Sequence, residues 1–273
     1  MRRLLHIEQI KLLNYNPFRI ALGIYFLAFS LGLIIYPAID KQIPVISLSD
    51  LFRFPDVWFF LTWITEPYNI LLALIVIMIT TKEYSDHTFK TQVIFGLSRA
   101  ELLLQKLLLL VLLAFFATLL LGVTTLILGL IYSYKLTFGI AMENTWILGR
   151  YMVSSIAYMS IGLLVALLIK NTALSLLTFL AFRVFVDPVL FLILRKYEVK
   201  WYLPMRATTQ LTPVPDLIEI FERKMNNPEP VDNSTFNILP EGLPAWLNML
   251  MVLLYISLAI WLSYRILQRR RFS

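Results

Sequence analysis

Three ionisable side chains stand where a chain this apolar has little else to offer a charge. Glu66 lies within DVWFFLTWITEPYNILLALIVIMITT, and Arg183 and Asp187 lie within TALSLLTFLAFRVFVDPVLFLIL. A charge at the centre of a bilayer costs at least about 2.5 to 3.5 kcal/mol on insertion scales, so each needs a partner or a wet cavity. Arg183 and Asp187 are four residues apart, the spacing at which a helix brings two side chains together. At 1.5 Å per residue, Glu66 and Asp187 each fall about 12 to 13 Å below the same end of antiparallel spans. A cluster of Glu66, Arg183 and Asp187 facing the bundle interior follows. Such a cluster can act as a static lock between helices or as part of a transport path, and the lock is the commoner use of buried paired charge. Pro67 follows Glu66 and Pro188 follows Asp187. Each removes a helix hydrogen bond, which marks the charged layer as a bend, static or hinged.

The second concentration of polar chemistry is KEYSDHTFKTQVIFGLSRAELLLQK, residues 82–106. Ser85, Asp86 and His87 suit a helix start. Phe89, Val93, Ile94 and Leu97 then fall on one helical face, leaving Thr88, Thr91, Gln92 and Phe95 for another contact. Gly96 is placed to end the helix in a left-handed conformation. Ser98-Arg99-Ala100-Glu101 has the S-x-x-E spacing of a capping box and opens the next apolar run. The stretch therefore encodes a short helix, a sharp turn and a new span.

The elements that position these groups are membrane helices. Of 273 residues, 59% are hydrophobic and 15% charged, with a mean hydropathy of +0.75. That is more apolar surface than one soluble domain buries. Runs near the roughly 20 residues that cross a bilayer core recur, giving an all-α, polytopic fold with six spans. They cover about 18–37, 57–80, 101–132, 147–169, 173–195 and 245–266. The third run is longer than a span requires, so it tilts, extends out of the membrane, or breaks near Gly122 or Gly129. With both termini cytosolic, the inner segments carry a large excess of Lys and Arg while the outer ones are nearly balanced, which is the favoured orientation. The net charge of +7 is then a topology signal rather than a nucleic-acid patch. Trp58, Trp63, Trp146, Trp201, Trp246 and Trp261 sit near span ends and read mostly as interface anchors. The segment 196–244 is an extracytoplasmic loop whose seven prolines forbid one continuous helix, with room for a short surface helix from Pro215 to about Met225. Its Asn233-Ser234-Thr235 triplet matches a short glycosylation pattern that arises often by chance.

Cysteine is absent and only His6 and His87 are present, so no thiolate or histidine metal site is encoded. The motifs of zinc hydrolases, serine hydrolases and phosphate-binding loops are all missing, which leaves an enzyme reading weak.

The order Glu83, Thr88, Gly96, Ser98-Arg99 and Lys106, between the second and third of six spans, resembles the signature of the ABC-2 type permease family. That family often has glycine before the threonine, where this chain has His87. The resemblance implies a coupling helix from about Glu83 to Leu97 that docks into a groove of a separate ATPase. Glu83, Thr88, Thr91, Gln92, Phe95, Gly96, Ser98 and Arg99 would serve that coupling. It further implies an N-terminal interfacial helix over Arg2 to Asn16, two copies of a cytosolic ABC ATPase subunit carrying ATP and magnesium, and a second permease, identical or paralogous. This chain would bind no cofactor, metal or nucleic acid itself. It would sit among the lipids of the cytoplasmic (inner) membrane and export a hydrophobic or amphipathic cargo such as a drug, peptide or lipid. An ion-coupled carrier or channel working through Glu66, Arg183 and Asp187 is the alternative.

Overall fold

A computed structural model describes residues 15–39, 51–133, 137–215 and 242–269. The expected helix over Arg2 to Asn16, the surface helix from Pro215 and the Asn233 triplet lie almost wholly outside those residues.

Every regular element among the described residues is helical. In chain order, α1 is Asn16–Ile39, α2 is Val57–Thr65 and α3 is Asn69–Ser85, the last two joined by a tight turn at Glu66–Tyr68. A short α4, Thr88–Ile94, leads to the long α5, Arg99–Tyr132. Then come α6, Phe138–Met142, and α7, Ile147–Ile169. Helix α8, Thr172–Ala181, passes through a widened turn at Phe182–Val186 into α9, Asp187–Ile193. A turn at Glu198–Tyr202 precedes α10, Pro204–Thr209, and α11 is Ala245–Arg269.

Among the described residues, five stretches are long and apolar enough to cross a membrane: Val57–Ser85, Arg99–Tyr132, Phe138–Ile169, Thr172–Ile193 and Ala245–Arg269. The protein is a multi-pass membrane protein. Helix α1 contributes a shorter apolar stretch, Asn16–Leu31. The long third apolar run forms one unbroken helix of 34 residues, without a break at Gly122 or Gly129. Instead, Gly129 makes room for a neighbour. A Cβ there would meet the Phe54 ring at 2.4 Å.

The centre of the bundle is α7, packed against α3, α5, α8 and α11. Its sequence explains this. Ser154, Ser155, Ala157, Ser160, Gly162 and Ala166 are small and all buried, so neighbouring backbones approach closely where lipid-facing helices of leucine would hold them apart. The tightest approach is at Gly162, where an added Cβ would lie 3.1 Å from the carbonyl oxygen of Ala73 on α3. Ser155 hydroxyl donates to Asn69 Oδ1 at 2.8 Å and ties the same two helices.

Two of the tryptophans expected at the interface are core residues. Trp58 is fully buried and donates from Nε1 to the Ala141 carbonyl oxygen at 3.0 Å, fixing α2 to α6. Trp201 packs against Phe191, ring centroids 5.5 Å apart. Trp146, Trp246 and Trp261 remain exposed along the bundle surface, as anchors require, and Trp63 is partly covered.

From residue 201 to residue 215, part of the expected 196–244 loop packs back onto the bundle. Pro204 starts α10 at a position where its missing N–H costs nothing. Met205, Ala207, Thr208 and Leu211 are then buried against α7 and α11. The prolines forbid one continuous helix here, but Pro204 itself starts a short one.

Replacing Gly162 by leucine is expected to destabilise the bundle by at least about 1 to 3 kcal/mol, the usual cost of overpacking. Gly149→Ala on the same helix, where an added Cβ meets nothing within 4 Å, is expected to be neutral or slightly stabilising. Thermal unfolding of the two variants in one detergent separates them.

Candidate functional site

Two polar sites stand out, one at an end of the bundle and one within it. The first is the elbow between α3 and α5. Helix α3 ends at Ser85, with Lys82 and Asp86 paired at 2.8 Å on the surface. His87 takes a left-handed backbone, φ 55°, so the helix axis turns there and α4 starts at Thr88. Ser85 and Asp86 therefore close one helix, while His87 turns the chain and stands as the N-cap of the next, its carbonyl oxygen accepting from the Thr91 amide at 3.0 Å. Glu83 belongs to the last turn of α3, not to the short helix.

At the far end of α4, Gly96 has φ 90°. The Leu97 amide donates to the Gln92 carbonyl oxygen and the Gly96 amide to that of Val93, both at 3.0 Å. That pair of bonds is a Schellman stop, and glycine suits it because a Cβ would strain the positive φ. Two residues later, Ser98 caps α5. Its backbone amide donates to Glu101 Oε2 at 2.7 Å, and the Glu101 amide donates to Ser98 Oγ at 3.2 Å. Both ends of the turn are thus fixed by local bonds.

The base of the elbow is an ion pair. Lys106 Nζ lies 2.7 Å from Glu83 Oε1, and both side chains are buried. One turn of α3 and the second turn of α5 are held together there. Arg99 donates to the Gln268 carbonyl oxygen, which ties the start of α5 to the end of α11. Thr81 and Thr172 hydroxyls meet at 2.9 Å, joining α3 to α8 at the same end.

The faces of α4 differ from the sequence expectation. Phe89 and Gln92 are buried, with Phe89 stacked on Tyr84 at 4.7 Å between centroids. Thr88 and Val93 are half-buried and Thr91 is exposed. Ile94 and Phe95 are 72% and 79% exposed. Starting the helix at Thr88 directs residues 89, 92 and 93 inward by the i, i+3, i+4 rule and rolls Ile94 out beside Phe95. Of the residues expected to couple, Thr91, Phe95, Gly96 and Ser98 are exposed, whereas Glu83 and Gln92 are covered.

The second site lies inside the bundle. Glu66 is buried at the turn between α2 and α3. Tyr158 of α7 donates its hydroxyl to Glu66 Oε1 at 2.5 Å, and Arg183 approaches the same oxygen at 3.9 Å. Thr209 of α10 completes the group, 3.2 Å from Tyr158 hydroxyl and 3.4 Å from Arg183 Nη2. Asp187 does not pair with Arg183 at salt-bridge distance. Between them the backbone runs as the widened turn at Phe182–Val186. The Asp187 carboxylate is within electrostatic reach of both Arg183 and Arg206, the latter at the start of α10. Burial pulls the Arg206 guanidinium below its ordinary range, and Asp187 opposes that shift.

Each proline shapes its layer. Pro67 lies in the tight turn that presents Glu66, and Pro188 opens α9 after the widened turn. Tyr158, Thr209 and Arg206 went unnoticed in the sequence. Tyr158 carried one signal, a tyrosine within the small-residue stretch SSIAYMS. Beside this cluster a cavity of about 420 Å³ is bounded by Trp63, Arg206, Thr209, Gln210 and Leu243, among others. Among the described residues no group of three metal-ligating side chains occurs.

The chain matches no protein-family model, and no curated protein is significantly similar to it.

Two predictions follow from these geometries. Lys106→Met should cost about 3 to 5 kcal/mol, because it strands Glu83 in the interior, and Glu83→Gln added to Lys106→Met should recover most of the loss. A double-mutant cycle on unfolding free energy reads the coupling. Tyr158→Phe should destabilise by about 1 to 3 kcal/mol, since it removes the hydrogen bond to buried Glu66, and the same unfolding assay measures it.

Proposed function

We propose that this chain is the membrane-embedded permease subunit of an ATP-driven ABC exporter of the ABC-2 type, working with a separate ATPase. The observation that carries the reading is the elbow. A short helix presents Ile94 and Phe95, two large apolar side chains, beyond the end of the bundle. It ends on a Schellman stop, the capping box that starts α5 follows two residues later, and a buried ion pair joins α3 to α5 at its base. Exposed aromatic residues on a rigid mount are what a groove on a partner recognises. A floppy loop would absorb a push, whereas this one passes it into α3 and α5.

In this reading α1 is a sixth span, and both termini and the elbow face the cytosol of the inner membrane. Two ATPase copies bind ATP and magnesium, two permease copies or paralogues form the path, and closure of the ATPases tilts the spans. The cargo is hydrophobic or amphipathic. A second reading, an ion-coupled carrier or channel, draws on the buried contact of Glu66 with Arg183. It needs no ATPase.

Co-purification from native membranes separates the two. The permease reading expects an ATPase subunit to accompany the chain. Phe95→Asp is expected to abolish that association and to bring ATP hydrolysis by the membranes to background, with the thermal stability of the chain unchanged. A chain that purifies without any ATPase, and whose Phe95→Asp variant leaves ATP hydrolysis as it was, would overturn the permease reading.

A further inference from the structure

The cavity beside α10 has a composition that points to a class of ligand. Arg206 is the one charged side chain among the described residues that line it. Its guanidinium rests against two rings, 4.3 Å from the Phe191 centroid and 5.5 Å from that of Trp201, with the Asp187 carboxylate acting on it electrostatically but no carboxylate among the described residues within salt-bridge distance. A cation braced against aromatic rings is oriented in advance of any further anion. Arg206 Nε, a donor, and Gln210 Oε1, an acceptor, are buried without a hydrogen-bond partner among the described residues. Leaving such groups unmatched is costly, and a native protein that does so has a use for them or fills the place with a ligand or water. The two belong to adjoining turns of one short segment and to the wall of one cavity.

The remaining wall is apolar. Trp63, Pro213, Val214 and Leu243 line it, and the cavity volume of about 420 Å³ falls in the range of small-ligand sites. A small free anion would gain nothing from those side chains. A molecule with an apolar body would.

We infer that this cavity is a binding site for an anionic amphiphile whose headgroup also carries an O–H or N–H donor, the anionic oxygen at Arg206 and the donor at Gln210. The inference deepens the permease reading by naming the chemistry of a cargo or bound lipid. It requires only the membrane position of the bundle and no step of ATP use. Chain bending toward the ligand is small. Gln210 must turn its amide from its packing on Gly242, where the glycine leaves it 3.5 Å of clearance to an added Cβ.

The test uses the full chain in a neutral detergent, with the short-chain diacyl lipids dihexanoyl-phosphatidylglycerol and dihexanoyl-phosphatidylcholine as probes, both below micelle-forming concentration. Retention is counted by native mass spectrometry. The glycerol headgroup has anion and hydroxyl donors, whereas choline has no donor. The expected result is about tenfold tighter retention of the glycerol lipid, and a loss of about five- to tenfold in Arg206→Gln and in Gln210→Leu, the size set by one lost hydrogen bond. Retention of the choline lipid is expected to be unchanged in Gln210→Leu, whereas in Arg206→Gln its phosphate loses the same contact. Gln210→Leu alters no charge, so it decides the matter if Arg206→Gln fails to fold. Glycerol 3-phosphate, the headgroup without a tail, is expected not to compete at tenfold excess over the lipid. Equal retention of the two lipids, an unaffected Gln210→Leu variant, or full competition by glycerol 3-phosphate each overturns the inference. Since no ATPase and no ATP are present, failure here leaves the exporter reading standing, and failure of the Phe95 experiment leaves this site standing.

Discussion

Hydrocarbon offers a backbone amide nothing to bond to, so a chain in lipid is helical wherever protein does not cover it. Every departure from the α-helix in this bundle obeys that constraint. The tight turn at Glu66–Tyr68 and the widened turn at Phe182–Val186 interrupt two spans, and the short helix α10 lies between two others. All three converge on one polar group, where Tyr158, Thr209 and Arg183 surround Glu66. Irregular backbone and ionisable side chains shelter each other. Neither would be tolerable against lipid alone, and α7, with its small buried residues, leaves the room in which they meet.

What the sequence made legible was local. The glycine stop at Gly96 and the Ser98 to Glu101 capping box depend on residues within a few positions of one another, and their bonds form as spacing alone requires. The apolar runs were equally plain, because a span is a property of composition over about 20 residues. The contacts that escaped depend on geometry at a distance. Arg183 lies within salt-bridge distance of Glu66 and not of Asp187, and the backbone between the latter two runs as a widened turn that no spacing rule announces. Trp58 looked like an interface residue until α6, more than eighty positions away, supplied a carbonyl for its indole. Proline taken as punctuation hid α10, because whether Pro204 breaks or begins a helix depends on what packs against the residues after it.

The elbow and the polar cluster differ in kind. Around the elbow, charges sit at helix ends where they close a turn, and the buried pair of Glu83 with Lys106 joins two helices that follow each other in the chain. In the cluster, the polar groups come from four separate segments and would come apart if any of those segments moved. The first arrangement resists motion within itself, and the second records the relative position of the Glu66 turn, α7, the widened turn and α10. A tilt of the helices relative to one another would therefore break the bonds of the cluster before those of the elbow.

The uninterrupted length of α5 sets how far such a tilt reaches. Its 34 residues make a rod of about 51 Å at 1.5 Å per residue, against a hydrocarbon thickness of about 30 Å. A rotation of ten degrees about one end sweeps the other through about 9 Å, nearly the width of a helix. Angular changes too small to disturb side-chain packing along the rod thus become displacements at its tip that are large on the scale of a binding groove.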